Sequence, residues 1–105
     1  MGAGMEWLWT WSGSPFGFRS AGELWTYDGR HVGRFRGDEV FGPDGFYIGE
    51  LMRENRLTID LAKKTRRTRR FRRQTDITAP ARPFGLEGLP VPEGFEDFPR
   101  AERLP

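Results

Sequence analysis

The sequence predicts an all-β protein: four sequential β-hairpins of about 16 residues in a pseudo-fourfold ring, then a basic strip and a Pro-rich tail. Three observations predict it. The phrase Trp-Thr-aromatic-x-Gly-x-x-apolar-Gly occurs at Trp9–Gly17 and again at Trp25–Gly33. Asp-Gly pairs punctuate the same stretch at the places a tight turn needs them. Charge is segregated, with nine acids and six bases in residues 1–62, eight bases and no acid in 63–73, and six acids against three bases in 74–105. The expected organisation is a four-hairpin β domain over 5–64, the basic strip over 65–73, and a partly docked or irregular tail over 74–105.

The repeat justifies each hairpin in turn. Trp9, Trp25, Phe41 and Leu57 fall at one position, preceded by Leu8, Leu24, Val40 and Arg56. Ser12, Asp28, Asp44 and Asp60 share a second position, and Gly13, Gly29, Gly45 and Leu61 a third. Phe16 aligns with Val32 and Ile48, and Gly17 with Gly33 and Gly49. A two-residue Asp28–Gly29 turn, with positive φ at both residues, puts Tyr27 opposite Arg30, Trp25 opposite Val32 and Leu24 opposite Gly33. The equivalent pairs are Trp9 with Phe16 and Phe41 with Ile48. Glycine opposite Leu24 leaves room for another element, expected to be a neighbouring hairpin.

An isolated hairpin is marginal in water, so the four must bury their aromatic faces together. The links "RSAGE", "RGDE" and "MREN" are short and polar, which keeps consecutive hairpins adjacent. Trp9, Trp25, Phe41 and Leu57 are therefore expected to meet near the centre. In the fourth copy Leu61 replaces the turn glycine and Lys64 the apolar partner, leaving that hairpin open or closed by the chain that follows.

The stretches "MEWLWTWSG", "LWTYDGRHVGRFRGDEVFGPDGFYIGE" and "NRL", with the terminal "GFEDFP", resemble the bacterial proteins described as four-fold beta-flower. The resemblance runs closely from Met5 to about Lys64 and more loosely over the last dozen residues. It implies a compact four-petalled β fold and brings no catalytic residues with it.

Composition narrows the chemistry. Fifteen aromatic residues compensate for a small core. The absence of cysteine excludes a disulfide scaffold, a thiolate nucleophile and a cysteine-ligated zinc site. No segment approaches the length of a membrane span, and "MGAGMEWLWTW" lacks both a cationic n-region and a long apolar run. Glu6 stands where a Met-Gly myristoylation signal needs Ser or Thr. A cytoplasmic location is expected.

No catalytic residues are expected. Asp28, Asp44 and Asp60 could surround a cation, but Asp is also the preferred residue of such turns and hairpin tips should point outward. His31 is the single histidine, and its counterparts Pro15, Tyr47 and Lys63 suggest a variable surface position. No Gly-rich phosphate loop precedes a helix, and no Ser/His/Asp order suggests a triad. Metal and cofactor are expected to be absent. Trp7 breaks its repeat position toward apolar, for exposure or for cover by the tail.

The unusual signal is "KKTRRTRRFRR". Lys63, Lys64, Arg66, Arg67, Arg69, Arg70, Arg72 and Arg73 are the candidate polyanion-binding residues, because guanidinium forks suit phosphate. Phe71 is the candidate stacking residue within the run. The run equally suits a solvated edge strand whose charges prevent aggregation, or a surface covered by the acidic "EGFEDFP" of the tail. Six of the eight prolines lie in residues 74–105, which favours extended segments over sheet; Phe84, Leu86, Leu89, Phe95 and Phe98 are its apolar anchors.

The sequence thus suggests a small non-enzymatic structural or interaction module that contacts a polyanion, such as nucleic acid, through residues 63–73, or a protein partner through its surface loops or tail. A ligand-binding protein or enzyme with a central pocket on the pseudo-fourfold axis is the alternative.

Overall fold

Alternating apolar residues and glycine turns build a meander of seven strands in the computed structural model, which describes residues 4–53 and 55–104. The Met-Gly start, one residue of the "MREN" link and the last tail residue lie outside the described residues. The strands are β1 (Met5–Thr10), β2 (Pro15–Ser20), β3 (Glu23–Thr26), β4 (His31–Arg36), β5 (Glu39–Phe41), β6 (Tyr47–Met52) and β7 (Arg56–Asp60), each antiparallel to the next. β1 also pairs with β7, in parallel, at Trp9–Arg56 and Thr10–Leu57, which closes a barrel. Parity explains the parallel contact: direction alternates along a meander, so the first and seventh strands run the same way. An eighth strand, β8 (Phe95–Asp97), arrives from the tail and pairs antiparallel with Thr58, Ile59 and Asp60 of β7. The described residues hold no α-helix.

The turns correct the expected geometry. Thr10, Thr26 and Gly42 donate their N–H to the carbonyls of Ser14, Arg30 and Phe46, and accept in turn from Gly13, Gly29 and Gly45. Each tip therefore contains three residues, and only the glycine has positive φ, at 100°, 86° and 88°. This is a type I turn followed by a left-handed bulge residue, rather than a two-residue turn. The two-residue primed form instead joins the first two hairpins, at Ala21 (φ 52°) and Gly22 (φ 78°).

A second bulge moves the cross-strand partners. Trp9 faces Pro15, Trp25 faces His31 and Phe41 faces Tyr47, so the expected partners Phe16, Val32 and Ile48 are the extra residues. Leu24 does face Gly33. The repeated apolar-Gly dipeptide thus marks a bulge, which turns its apolar residue inward. Gly17, Gly33 and Gly49 then allow close packing: a Cβ on Gly17 would lie 1.8 Å from the Trp25 carbonyl oxygen, one on Gly33 2.7 Å from Val40, and one on Gly49 2.4 Å from the Phe98 ring.

The interior is also out of phase with expectation. Leu8, Leu24, Val40 and Leu57 are in the core, with Phe16, Val32, Phe35, Phe98 and Ala101. Trp9, Trp25 and Phe41 alternate with the first three and take the outer face, where Trp25 stacks on Phe18. Leu57 is the exception because the β6–β7 link is one residue longer than the other two: Met52 pairs with Arg56 rather than Asn55. A one-residue slip exchanges the faces of a strand, so Leu57 enters the core where Arg56 would have pointed.

Beyond β7 the chain circles the hairpin tips. Thr68 donates to the Gly45 carbonyl (2.7 Å), Ile77 to Gly29 (2.9 Å) and Leu86 to Gly13 (2.8 Å), at intervals of nine residues and in reverse order of the hairpins. The radius of gyration, 12.9 Å, is that of a compact domain of this length, with the tail held close. Past β8, Phe98 enters the barrel edge-on to Phe16, with ring centroids 5.1 Å apart.

Candidate functional site

The basic strip begins in a 3-10 turn over Leu61–Lys63 and from Arg66 runs beside the start of β6. Tyr47 donates its N–H to the Arg66 carbonyl (2.9 Å), Thr68 to Gly45, and Phe71 to Pro43 (3.1 Å). These bonds fix the backbone and distribute the cations unequally. Lys63 sits 2.9 Å from both Glu39 and Glu50, Arg66 lies 3.2 Å from Glu39, and Lys64 lies 3.6 Å from Glu96. Glu50 first, then Glu39, holds the Lys63 ammonium pKa above its ordinary value. Burial pushes the neighbouring Tyr47 hydroxyl up, and that hydroxyl donates to Glu50 and accepts from the Asp60 N–H. Lys63 is thus a structural clasp between β5 and β6.

The rest of the strip is more open. Arg67 stacks over Phe46 at 4.6 Å. Arg73 donates to the His31 carbonyl (2.9 Å). Among the described residues Arg69, Arg70 and Arg72 meet no carboxylate. The acidic end of the tail reaches the strip only at Lys64, since Asp97 accepts instead from the N–H groups of Trp11 (2.7 Å) and Ser12 (3.3 Å).

Two cations that sequence reasoning missed stand beside it. Arg34 and Arg36 of β4 are exposed, and Arg36 donates to the Thr68 hydroxyl (2.8 Å). Arg34, Arg36, Thr68, Arg69, Arg70 and Phe71 line a cleft of about 150 Å³. Arg36, Arg66, Arg67 and Thr68 line an adjoining one of about 400 Å³, with Glu39 and Phe41. Alternation along "HVGRFRG" places both arginines on the outer face, but nothing in the sequence says that the strip passes there.

Phe71 is half-buried. His31 lies against its ring at 5.3 Å and the Arg34 guanidinium at 4.5 Å, so it also anchors the strip. His31 itself is a correction: it is fully buried rather than on a variable surface. Its ring packs on Trp25 as well, its Nδ1 accepts the Gln74 N–H (2.8 Å), and its Nε2 lies 2.6 Å from Glu23 and 3.0 Å from the Gly33 carbonyl. Because Nδ1 accepts a backbone N–H, the ring proton is on Nε2, donated to the Glu23 carboxylate. Glu23 also takes Arg34 at 3.0 Å. Every polar atom of this imidazole is engaged in holding the strip to β3 and β4, with none left for chemistry.

The turn aspartates serve their turns. Asp28 accepts from the Thr26 hydroxyl, Asp44 from the Phe46 N–H (3.0 Å) and Asp60 from the Ala62 N–H (3.0 Å). No group of three His, Cys, Asp or Glu side chains among the described residues could hold a metal ion. The barrel centre, the alternative place for a ligand, is filled by Phe16, Phe98 and the surrounding aliphatic residues. Trp7 is half-buried, edge-on to Phe18 at 5.4 Å. No helix of the described residues is long and apolar enough to cross a membrane.

Comparison of the chain with protein-family models, curated proteins and solved structures finds no match in any of the three. Identification stops at the class: an all-β protein with a closed seven-strand barrel.

Proposed function

We propose that this protein is a non-enzymatic interaction module of the cytoplasm that binds a polyanion, such as nucleic acid, along its basic rim. The observation that carries the reading is the pinned backbone of the strip: Arg69 and Arg70, without carboxylate partners among the described residues, are presented into one cleft that they share with Arg34 and Arg36. A cationic surface held in place loses less entropy on binding than a flexible tail, and guanidinium groups take phosphate bidentately. Arg67, Arg72 and Arg73 extend the surface, with Arg66 beside Glu39; Lys63 belongs to the barrel through Glu39 and Glu50, and Lys64 pairs with Glu96 of β8. Phe71 contributes by positioning Arg34. Such a surface makes binding insensitive to base sequence and sensitive to salt.

The ring of four petals is part of the same proposal. Three hairpins share one turn and one bulge, and β7 with β8 stands as the fourth petal, with Phe98 in place of the apolar residue that Lys64 does not supply. This reading accords with the resemblance to the four-fold beta-flower proteins.

Fluorescence anisotropy of labelled single- and double-stranded nucleic acid, across a salt series, tests the polyanion reading. The wild type is expected to bind at micromolar concentration at low salt, with an affinity that falls steeply as salt rises. Arg66→Gln, Arg67→Gln, Arg69→Gln and Arg70→Gln together should abolish it. Absence of binding at low salt rejects the reading.

A further inference from the structure

Away from the strip, the tail crosses the first two hairpin tips as Arg82-Pro83-Phe84-Gly85, and its backbone is fixed there. Trp9 Nε1 donates to the Phe84 carbonyl (2.9 Å), and Leu86 to the Gly13 carbonyl (2.8 Å). The Phe84 ring takes no part in this anchoring: it is 94% exposed. An aromatic side chain presented to water on a fixed backbone is the kind of group that anchors recognition of a partner. Beside it opens a cleft of about 500 Å³, lined further by Pro15, Tyr27, Arg82, Arg100 and Glu102.

The charge in that cleft is unbalanced. The Arg82 guanidinium lies 4.2 Å over the Tyr27 ring, which orients it without neutralising it. Neither Arg82 nor Arg100 forms an ion pair among the described residues. Glu102, beside the Tyr27 hydroxyl, is the carboxylate of the lining. Two unpaired guanidiniums therefore face one carboxylate, between walls of proline and aromatic rings.

From this juxtaposition we infer a second binding site, for an acidic peptide segment of a partner protein with an aromatic or large aliphatic side chain next to its carboxylates. Arg82 and Arg100 take the carboxylates in fork geometry, and Phe84, Pro15 and Pro83 take the apolar side chain. The site goes beyond the polyanion reading, because none of its lining residues belongs to 63–73 or to β4.

The test uses the full chain and a labelled hexapeptide, Glu-Asp-Phe-Glu-Phe-Asp, with three controls: the same peptide with both Phe replaced by Ser, hexaglutamate, and oligothymidine. The hexapeptide should bind, and its serine counterpart and hexaglutamate should bind about tenfold more weakly or worse. Phe84→Ala should lose a similar factor with no change in thermal midpoint, since the ring is exposed. Arg82→Gln with Arg100→Gln should abolish binding. The four-arginine strip variant should keep it, so the two proposals fail separately. Absence of hexapeptide binding, equal binding of the serine peptide, or oligothymidine binding abolished by Phe84→Ala would overturn the inference.

Discussion

The barrel and the tail around it hold their shape by different means. In the barrel, regular strands repeat one turn and one bulge three times, and burial of alternate side chains fixes the register. Between β7 and β8, the tail has almost no regular structure, yet its backbone bonds to each tip glycine in turn. The barrel in turn is incomplete without it, because Phe98 and Ala101 are core residues and β8 covers the second half of β7. The difference teaches that a closed strand meander can be completed by a tail segment outside it, provided that segment supplies a strand and an apolar side chain at the right place.

The sharpest way to break this comparison is to remove the plug. Phe98 and Phe84 both lie in the tail, but one is 2% exposed and the other 94%. Phe98→Ala should cost about 3–5 kcal/mol in urea unfolding, the range for a buried aromatic truncated in a core. Phe84→Ala should stay within about 0.5 kcal/mol. Similar costs for the two would mean that the tail is not part of the core.

A smaller effect separates the tip glycines from the link glycines. Gly22 has positive φ with nothing near its missing side chain, so Gly22→Ala should cost about 1–2 kcal/mol, the price of a left-handed L-residue alone. At Gly29 (φ 86°) a Cβ would also lie 1.8 Å from the Ile77 carbonyl oxygen. Gly29→Ala should therefore cost about 1 kcal/mol or more beyond that, and speed hydrogen exchange at the Ile77 amide. Equal costs at the two sites would show that the tail's hold on the tips contributes no stability.

The smallest effect belongs to the second tip. The Thr26 hydroxyl lowers the Asp28 pKa below its ordinary 3.8, whereas glycine stands at the matching position of the third tip, Gly42. A carboxylate with a depressed folded-state value stabilises the protein above its unfolded value and loses that contribution as pH falls through the folded one. Asp28→Asn should therefore flatten the decline in urea midpoint between pH about 4 and 2 relative to the wild type. Indistinguishable slopes would assign no role to the Thr26 hydroxyl.

The all-β class and the hairpin tips, though not the closure of β1 on β7, were legible in the sequence because glycine has few substitutes at positive φ and in crowded interiors. Gly13, Gly29 and Gly45 gave the tips, and Gly17, Gly33 and Gly49 the close approaches. The inward phase was not legible. Leu8 and Trp9, Leu24 and Trp25, Val40 and Phe41 are apolar on both faces, because the strands have a core on one side and aromatic or tail residues on the other. Alternation then gives no sign of which face is inside. The path of the tail was hidden for another reason: Thr68, Ile77 and Leu86 meet the tips through backbone N–H groups, which every residue but proline carries. The strip announced itself by charge, but its companions Arg34 and Arg36 and the burial of His31 depend on where that path runs.

The position of Phe98 carries a consequence for synthesis. Every strand of the closed meander leaves the ribosome before the side chain that fills its interior, because Phe98 follows all seven strands in the chain and domains fold as they emerge. A nascent chain that has not yet reached Phe98 can form the hairpins but leaves Phe16 and the space above Gly49 uncovered. Closure of the core is therefore a late event in synthesis, set by one aromatic side chain supplied after the last barrel strand.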